Sequence, residues 1–180
     1  MKPFPLFVAA VLVLPVGFAR AEVADSASSG FTIKATIAIK ATPDEVYRTL
    51  VRNVGDWWNP SHTYSHDAHN LGIEEKAMGC FCEKLPGGGS VRHMEIVSFA
   101  PGKALGMTGA MGPLQLIAAA GNMRFELSPA DGGTKLDLTY AVTGYFPAGM
   151  NTWAAPVDSV LKEQLTRLKN FVERGDPVAK

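Results

Sequence analysis

From Phe31 onward the chain writes its fold in alternation. Phe31, Ile33, Ala35, Ile37 and Ile39 alternate with Thr32, Lys34, Thr36 and Lys40, the period-two pattern of a strand with one buried face. Thr42-Pro43-Asp44-Glu45 then opens a short helix: Thr42 caps, Pro43 suits the first helical position and Glu45 reaches back to complete a capping box. Val46, Tyr47, Leu50, Val51 and Val54 form its buried side, and it ends near Gly55. Trp57 and Trp58 read as a short turn closing one end of the domain, followed by a polar stretch from Ser61 to Asn70. Strand-like pieces follow near Leu71 to Lys76, Gly79 to Leu85, Val91 to Phe99 and Ala104 to Met111. Met123, Phe125 and Leu127 alternate with Arg124 and Glu126, and Leu136, Leu138, Tyr140 and Val142 with Lys135, Asp137 and Thr139. Pro86-Gly87-Gly88-Gly89, Pro101-Gly102 and Asp131-Gly132-Gly133 supply hairpin turns.

The period then changes. Val157, Val160, Leu161, Leu165, Leu168, Phe171 and Val172 form one stripe at helical spacing between Trp153 and Arg174. Pro156 is tolerated in the first turn, and Gly175 and Pro177 stop the helix. About twenty residues at 1.5 Å each give roughly 30 Å, the width of a small domain. A lone amphipathic helix must bury its stripe against a sheet. The pattern therefore predicts an α+β domain: a curved antiparallel sheet of six to seven strands around a long C-terminal helix, with an apolar interior.

Composition changes the picture mainly at the start of the chain. Lys2, the apolar run from Phe4 to Phe18 and Ala19-Arg20-Ala21 have the make-up of an export signal with a small-x-small cleavage site. The run is too short for a membrane span. The expected division is a signal over residues 1–21, a flexible lead-in over 22–30, one domain over 31–174 and a tail over 175–180. The expected location is periplasmic or secreted, with no stable membrane anchor after cleavage. Removing Lys2 and Arg20 leaves fifteen basic against seventeen acidic residues. The basic residues do not cluster, which argues against a nucleic-acid partner.

The order of elements, with the capped Ala41-Thr42-Pro43-Asp44-Glu45-Val46-Tyr47 after the first strand, the paired Trp57-Trp58, the turn at Gly132 to Thr134 and the closing helix, resembles the START-like SRPBCC superfamily, in its polyketide cyclase/dehydrase-like branch. The likeness spans Phe31 to Arg174. It implies the helix-grip fold, with a cavity between sheet and C-terminal helix for an apolar ligand such as a lipid or polyketide. Some members catalyse cyclisation or dehydration there.

The residues themselves are compatible with such a cavity. Leu105 to Gly121 is rich in Gly, Ala, Met and Leu, a composition that can line or lid a pocket. The expected ligand contacts are Trp57, Trp58, Tyr64, Met107, Met111, Leu114, Phe125, Tyr140, Leu161 and Leu165, with the pocket centred mid-helix near Leu165 and Trp57 and Trp58 near its opening. His93 and Glu95, two apart on one strand, are the candidate catalytic pair if their face looks inward. Met94 and Ile96 occupy the other face, yet Val91, Val97 and Phe99 share the histidine's, so parity alone leaves the inside undecided.

His62, His66 and His69 would share a face on a helix, as metal ligands can, but Pro60, Ser61, Asn70 and Gly72 favour a loop; no metal and no cofactor are expected. Cys80 and Cys82 flank Phe81, with alpha carbons about 6.5 Å apart on a flat strand. Buried free thiols rank ahead of a strained disulfide or half a metal site. The reading is an exported binder of a small hydrophobic ligand. The alternatives are a cyclase/dehydratase-type enzyme using the same cavity and a protein-interaction module with a filled core.

Overall fold

The computed structural model describes residues 20–178. The expected export signal, apart from its last two residues, lies outside the described residues. No helix among those described is long and apolar enough to cross a membrane.

One antiparallel sheet of eight strands forms the frame: β1 (Arg20–Ala27), β2 (Gly30–Ile39), β3 (Leu71–Ile73), β4 (Cys80–Lys84), β5 (Ser90–Ala100), β6 (Ala104–Thr108), β7 (Ala118–Ala130) and β8 (Gly133–Tyr145). Their order across the sheet is β1-β2-β8-β7-β6-β5-β4-β3. From β3 to β8 each strand pairs with the next in the chain, and β2 returns to pair with β8. The meander is the predicted one. The strand count exceeds the expected six to seven because the supposed lead-in from Glu22 to Gly30 is largely a strand: Glu22 pairs with Lys34 and Ala27 with Gly30. Its polar side chains fit an edge strand, whose exposed faces need no apolar pattern.

The inner face is built by alternation. Phe31, Ile33, Ala35, Ile37 and Ile39 of β2 are buried, as are Met123, Phe125 and Leu127 of β7 and Leu136, Leu138, Tyr140 and Val142 of β8. Pairing aligns Ile33, Tyr140, Met123, Met107 and Ile96 into one apolar row across five strands.

Three α-helices close that face: α1 (Pro43–Arg52), α2 (Val54–Trp57) and α3 (Ala154–Arg174). The capping box at Thr42 and Glu45 is present, with the Thr42 side chain accepting from the Glu45 backbone and the Glu45 side chain from Thr42 N. The twenty-one residues of α3 bury Ala154, Leu161, Leu165 and Leu168, and the helix ends on Gly175 at φ 73°, a left-handed conformation that glycine adopts without strain. This is the helix-grip arrangement expected from the sequence.

β5 departs from regular pleating. Phe81 pairs with Met94 and Cys82 with Arg92, which leaves His93 as an extra residue. Ile96 pairs with Met107 and Ser98 with Gly106, which leaves Val97 extra. An extra residue flips the parity of everything beyond it. His93 and Met94 are consequently both buried, whereas Val97 and Phe99 are exposed.

Cys80 and Cys82 are joined in a disulfide, with alpha carbons 5.3 Å apart. This corrects the ranking of free thiols first. The alpha carbons stand closer than on a flat strand, which brings the pair within the ordinary range of a disulfide.

Candidate functional site

Tyr140 anchors the site. Its phenol sits against Gly121, where an added Cβ would come within 2.9 Å of the ring carbon Cε2; glycine is what admits the ring. The hydroxyl donates to Gly109 O at 3.3 Å and accepts from Met111 N at 3.0 Å, so it fixes the start of the Met111–Leu116 segment. Burial pushes the phenol up to about 12, against a smaller opposing pull from the Met111 N–H. Tyr140 is therefore a neutral group at physiological pH.

The opposite wall is the loop after α2. Trp57 donates its indole N–H to Thr49 O at 3.1 Å, and Trp58 donates to His62 O at 3.2 Å. Arg167 on α3 donates from Nε to Trp57 O at 2.8 Å, and Gln164 accepts from Asn59 N at 2.8 Å. His62 Nε2 meets Glu163 at 3.0 Å. The loop is thus fastened to the middle of α3.

A second support comes from beneath. Glu83, fully buried, accepts from Tyr64 N at 3.1 Å, from Ser65 N and from His93 Nε2 at 3.0 Å. Burial alone would raise its carboxyl, but the Ser65, Tyr64 and His93 hydrogen bonds together hold it below the ordinary carboxylate range. His93 is held below the usual imidazole value by burial, which outweighs the opposing hydrogen bond and charge of Glu83. A neutral His93 donating from Nε2 leaves Nδ1 a bare acceptor, and Nδ1 has no partner among the described residues. The ring stacks on Tyr64, centroids 5.9 Å apart, and lies 5.2 Å from that of Phe81.

Between these walls lie two spaces. The larger, about 300 Å³, is bordered by Ser61 to Tyr64, by Met111 to Leu114, by Tyr140 and Trp153, and by Pro156, Val157, Val160 and Leu161 of α3. The smaller, about 20 Å³, lies among Trp57, Trp58, Phe81, Met107, Met123, Phe125, Leu138 and Leu165, with Gln164 on its wall. Met111 and Leu161 border both.

The expected ligand contacts divide accordingly. Tyr64, Met111, Leu114, Tyr140 and Leu161 meet at the larger cavity. Trp57, Trp58, Met107, Phe125 and Leu165 border only the small void. Trp57 and Trp58 are buried there and do not stand at an opening. The large space lies along the first two turns of α3, not mid-helix at Leu165. The expectation of contacts missed Thr63, Pro113, Trp153, Val157 and Val160. The two valines carried a signal, as members of the helical stripe that the structure leaves only partly buried. Trp153 and Pro113 carried none.

The expected His93–Glu95 pair does not form. The bulge turns His93 inward, while Glu95 meets Arg92 at 2.9 Å and is half-exposed. The histidine's partner is Glu83, on the neighbouring strand, and His93 borders neither cavity. His69 lies 3.8 Å from Asp56, and His66 adopts a left-handed backbone at φ 58°. Among the described residues no group of three or more His, Cys, Asp or Glu side chains stands where it could hold a metal ion.

Comparison with known proteins bears on the same frame. The sequence matches no curated protein. Among solved structures, the conserved protein of unknown function EF2215 from Enterococcus faecalis superposes with a TM-score of 0.59 at 21% identity, over 91% of this chain and 80% of that one. CalU16 from Micromonospora echinospora gives 0.54 at 16%, over 89% and 88%. The Aha1 dimer from Colwellia psychrerythraea gives 0.56 at 18%, over 80% and 97%. At these identities the likeness is one of fold. The family model described as polyketide cyclase / dehydrase and lipid transport matches residues 30–173, from the first residue of β2 almost to the end of α3, and the chain belongs to that family.

Proposed function

We propose that the protein binds a small hydrophobic ligand in the cavity between the first two turns of α3, the Ser61–Tyr64 loop and the Met111–Leu114 segment. The observation that carries this is a space of about 300 Å³ walled by Met111, Leu114, Val157, Val160 and Leu161, where Tyr140 contributes a phenol that stays neutral. The family's description, which includes lipid transport, supports the same class of ligand. Burying a few hundred Å² of apolar ligand surface at about 25 cal/mol per Å² supports affinity of micromolar order once association costs are met. Binding stands ahead of catalysis because the Glu83–His93 pair has no side on either cavity.

The test is titration with N-phenyl-1-naphthylamine, a neutral lipophilic dye, followed by its own emission and by tryptophan quenching. Wild type should bind saturably. Leu161→Trp, filling the wall shared by both spaces, should weaken binding at least about tenfold, and Leu165→Trp, which borders only the small void, should weaken it less. A folded wild type that binds no dye, or a Leu161→Trp variant that binds equally well, removes this assignment.

We also propose that the protein works after export, on the strength of the Ala19-Arg20-Ala21 site behind an apolar run. Cleavage there leaves β1 its pairing from Glu22↔Lys34 to Ala27↔Gly30. The mass of the exported form should correspond to a chain starting at Glu22; an intact Met1 in the exported fraction overturns this.

A further inference from the structure

Two residues bordering the two spaces carry a buried side-chain N–H with no partner among the described residues: Gln164, through Nε2, on the wall of the small void, and Trp153, through Nε1, on the wall of the larger cavity. Gln164 is the sharper case. The residue is 2% exposed. Its Oε1 accepts from Asn59 N at 2.8 Å, which fixes the amide, since the flipped orientation would set two N–H donors against each other. Nε2 is therefore the group left without a partner. The other polar groups of this void, the Trp57 and Trp58 indoles, are already engaged by Thr49 O and His62 O.

An unpaired buried donor is costly, so the occupant matters. A void of about 20 Å³ has room for roughly one water, but a buried water is held by two to four polar partners, and here one is on offer. A carboxylate would arrive without a counter-charge, because no lysine or arginine borders either space and His62 is engaged by Glu163; desolvating an unpaired anion is prohibitive. A neutral oxygen acceptor meets both objections. Access runs from the larger cavity past Met111 and Leu161, which border both spaces, and the unbranched methionine can change rotamer to open the way.

We infer that Gln164 is a specificity-determining residue: its Nε2–H receives a neutral carbonyl oxygen carried at the leading end of an otherwise apolar ligand, which enters through the larger cavity and parts Met111 from Leu161. This rests on the binding function proposed above and narrows it, from hydrophobic molecules in general to uncharged ketones, esters or lactones, and away from free fatty acids.

The test uses three probes of one shape: 2-acetylnaphthalene, its alkene isostere 2-isopropenylnaphthalene and the anion 2-naphthoate. Wild type should bind the ketone about tenfold more tightly than the alkene, the range of one well-made hydrogen bond to a buried donor, and the carboxylate more weakly than either. The infrared carbonyl stretch of bound 2-acetylnaphthalene should fall below its value in hydrocarbon. In Gln164→Met, which also removes the acceptor for Asn59 N, the ratio of ketone to alkene affinity should fall to about one whatever the loss common to both probes, and if the variant binds neither, the wild-type ratio and the carbonyl stretch decide. Equal ketone and alkene affinity in wild type, an unshifted carbonyl stretch, or an advantage that survives Gln164→Met each overturn the inference while leaving hydrophobic binding intact. Failure of the wild type to bind the alkene and the ketone alike overturns both.

Discussion

The Glu83 carboxylate holds three donors at once, the Tyr64 and Ser65 backbone N–H groups and the His93 ring, and through them it shapes the loop that walls the cavity. The arrangement has a pH signature. Burial holds folded His93 below its unfolded value of 6.5, so the folded state takes up a proton less readily than the unfolded state. Stability from this group is complete above about pH 6.5 and is lost as pH falls below it toward the folded value. Glu83, also lowered, adds stability present above the unfolded carboxyl value of 4.5 and lost as pH falls through its folded value. Denaturant unfolding should therefore show a loss of stability between pH 7.5 and 5.5 in the wild type and a smaller one in His93→Gln, whose amide can still donate to Glu83. His62, His66 and His69 remain in both proteins, so parallel losses would show that His93 is not the source. Glu83→Gln should cost about 2 kcal/mol at pH 7.5, the scale of one charge-assisted hydrogen bond. None of this was legible in the sequence. His93 and Glu83 lie ten residues apart on different strands, and only a bulge brings them together.

Elements with a single period were easy to read. β2, β7 and β8 alternate without interruption, α1 carries its capping box, and the stripe of α3 gives that helix to within a residue at each end. β5 was harder because two extra residues reset its parity within five positions, so the mixed apolar signals at Val91, Met94, Val97 and Phe99 were a true record of a strand that changes faces. β1 failed for the opposite reason. An edge strand with exposed side chains carries no buried pattern, and its polar composition matches that of a loop. The Cys80–Cys82 disulfide encloses one residue and so removes little entropy from the unfolded chain; it fixes β4 locally and is no staple between distant parts of the fold.

At the scale of the whole molecule, the sheet, the helix that closes it and the apolar interior were all legible, but the interior's distribution was not. Large side chains fill the middle of the grip, so the usable space is displaced toward one end, where Pro113, Trp153 and the Ser61–Tyr64 loop meet. That displacement coincides with an asymmetry in how α3 is held. Lys169 Nζ donates to Ala38 O and to Glu173, each at 2.6 Å, and Glu173 accepts from Lys40 N at 2.7 Å. Arg167, Gln164 and Glu163 add the ties to the loop after α2. Ahead of Glu163, no α3 side chain hydrogen-bonds another element among the described residues, and Trp153 provides no side-chain cap. The helix is held unevenly: side-chain ties secure its second half, whereas the turns that border the cavity are held by packing, with Ala154 and Leu161 buried, and by the Met150 N–H to Ser28 O hydrogen bond just ahead of the helix. The expected consequence is that a ligand enters by displacing those turns, which can give without breaking a side-chain tie, while the tied half keeps the core intact. Amide hydrogens from Asp158 to Leu161 should exchange faster than those from Leu165 to Phe171, and saturating N-phenyl-1-naphthylamine should slow the first group alone; uniform exchange along the helix would mean that entry requires the whole element to lift.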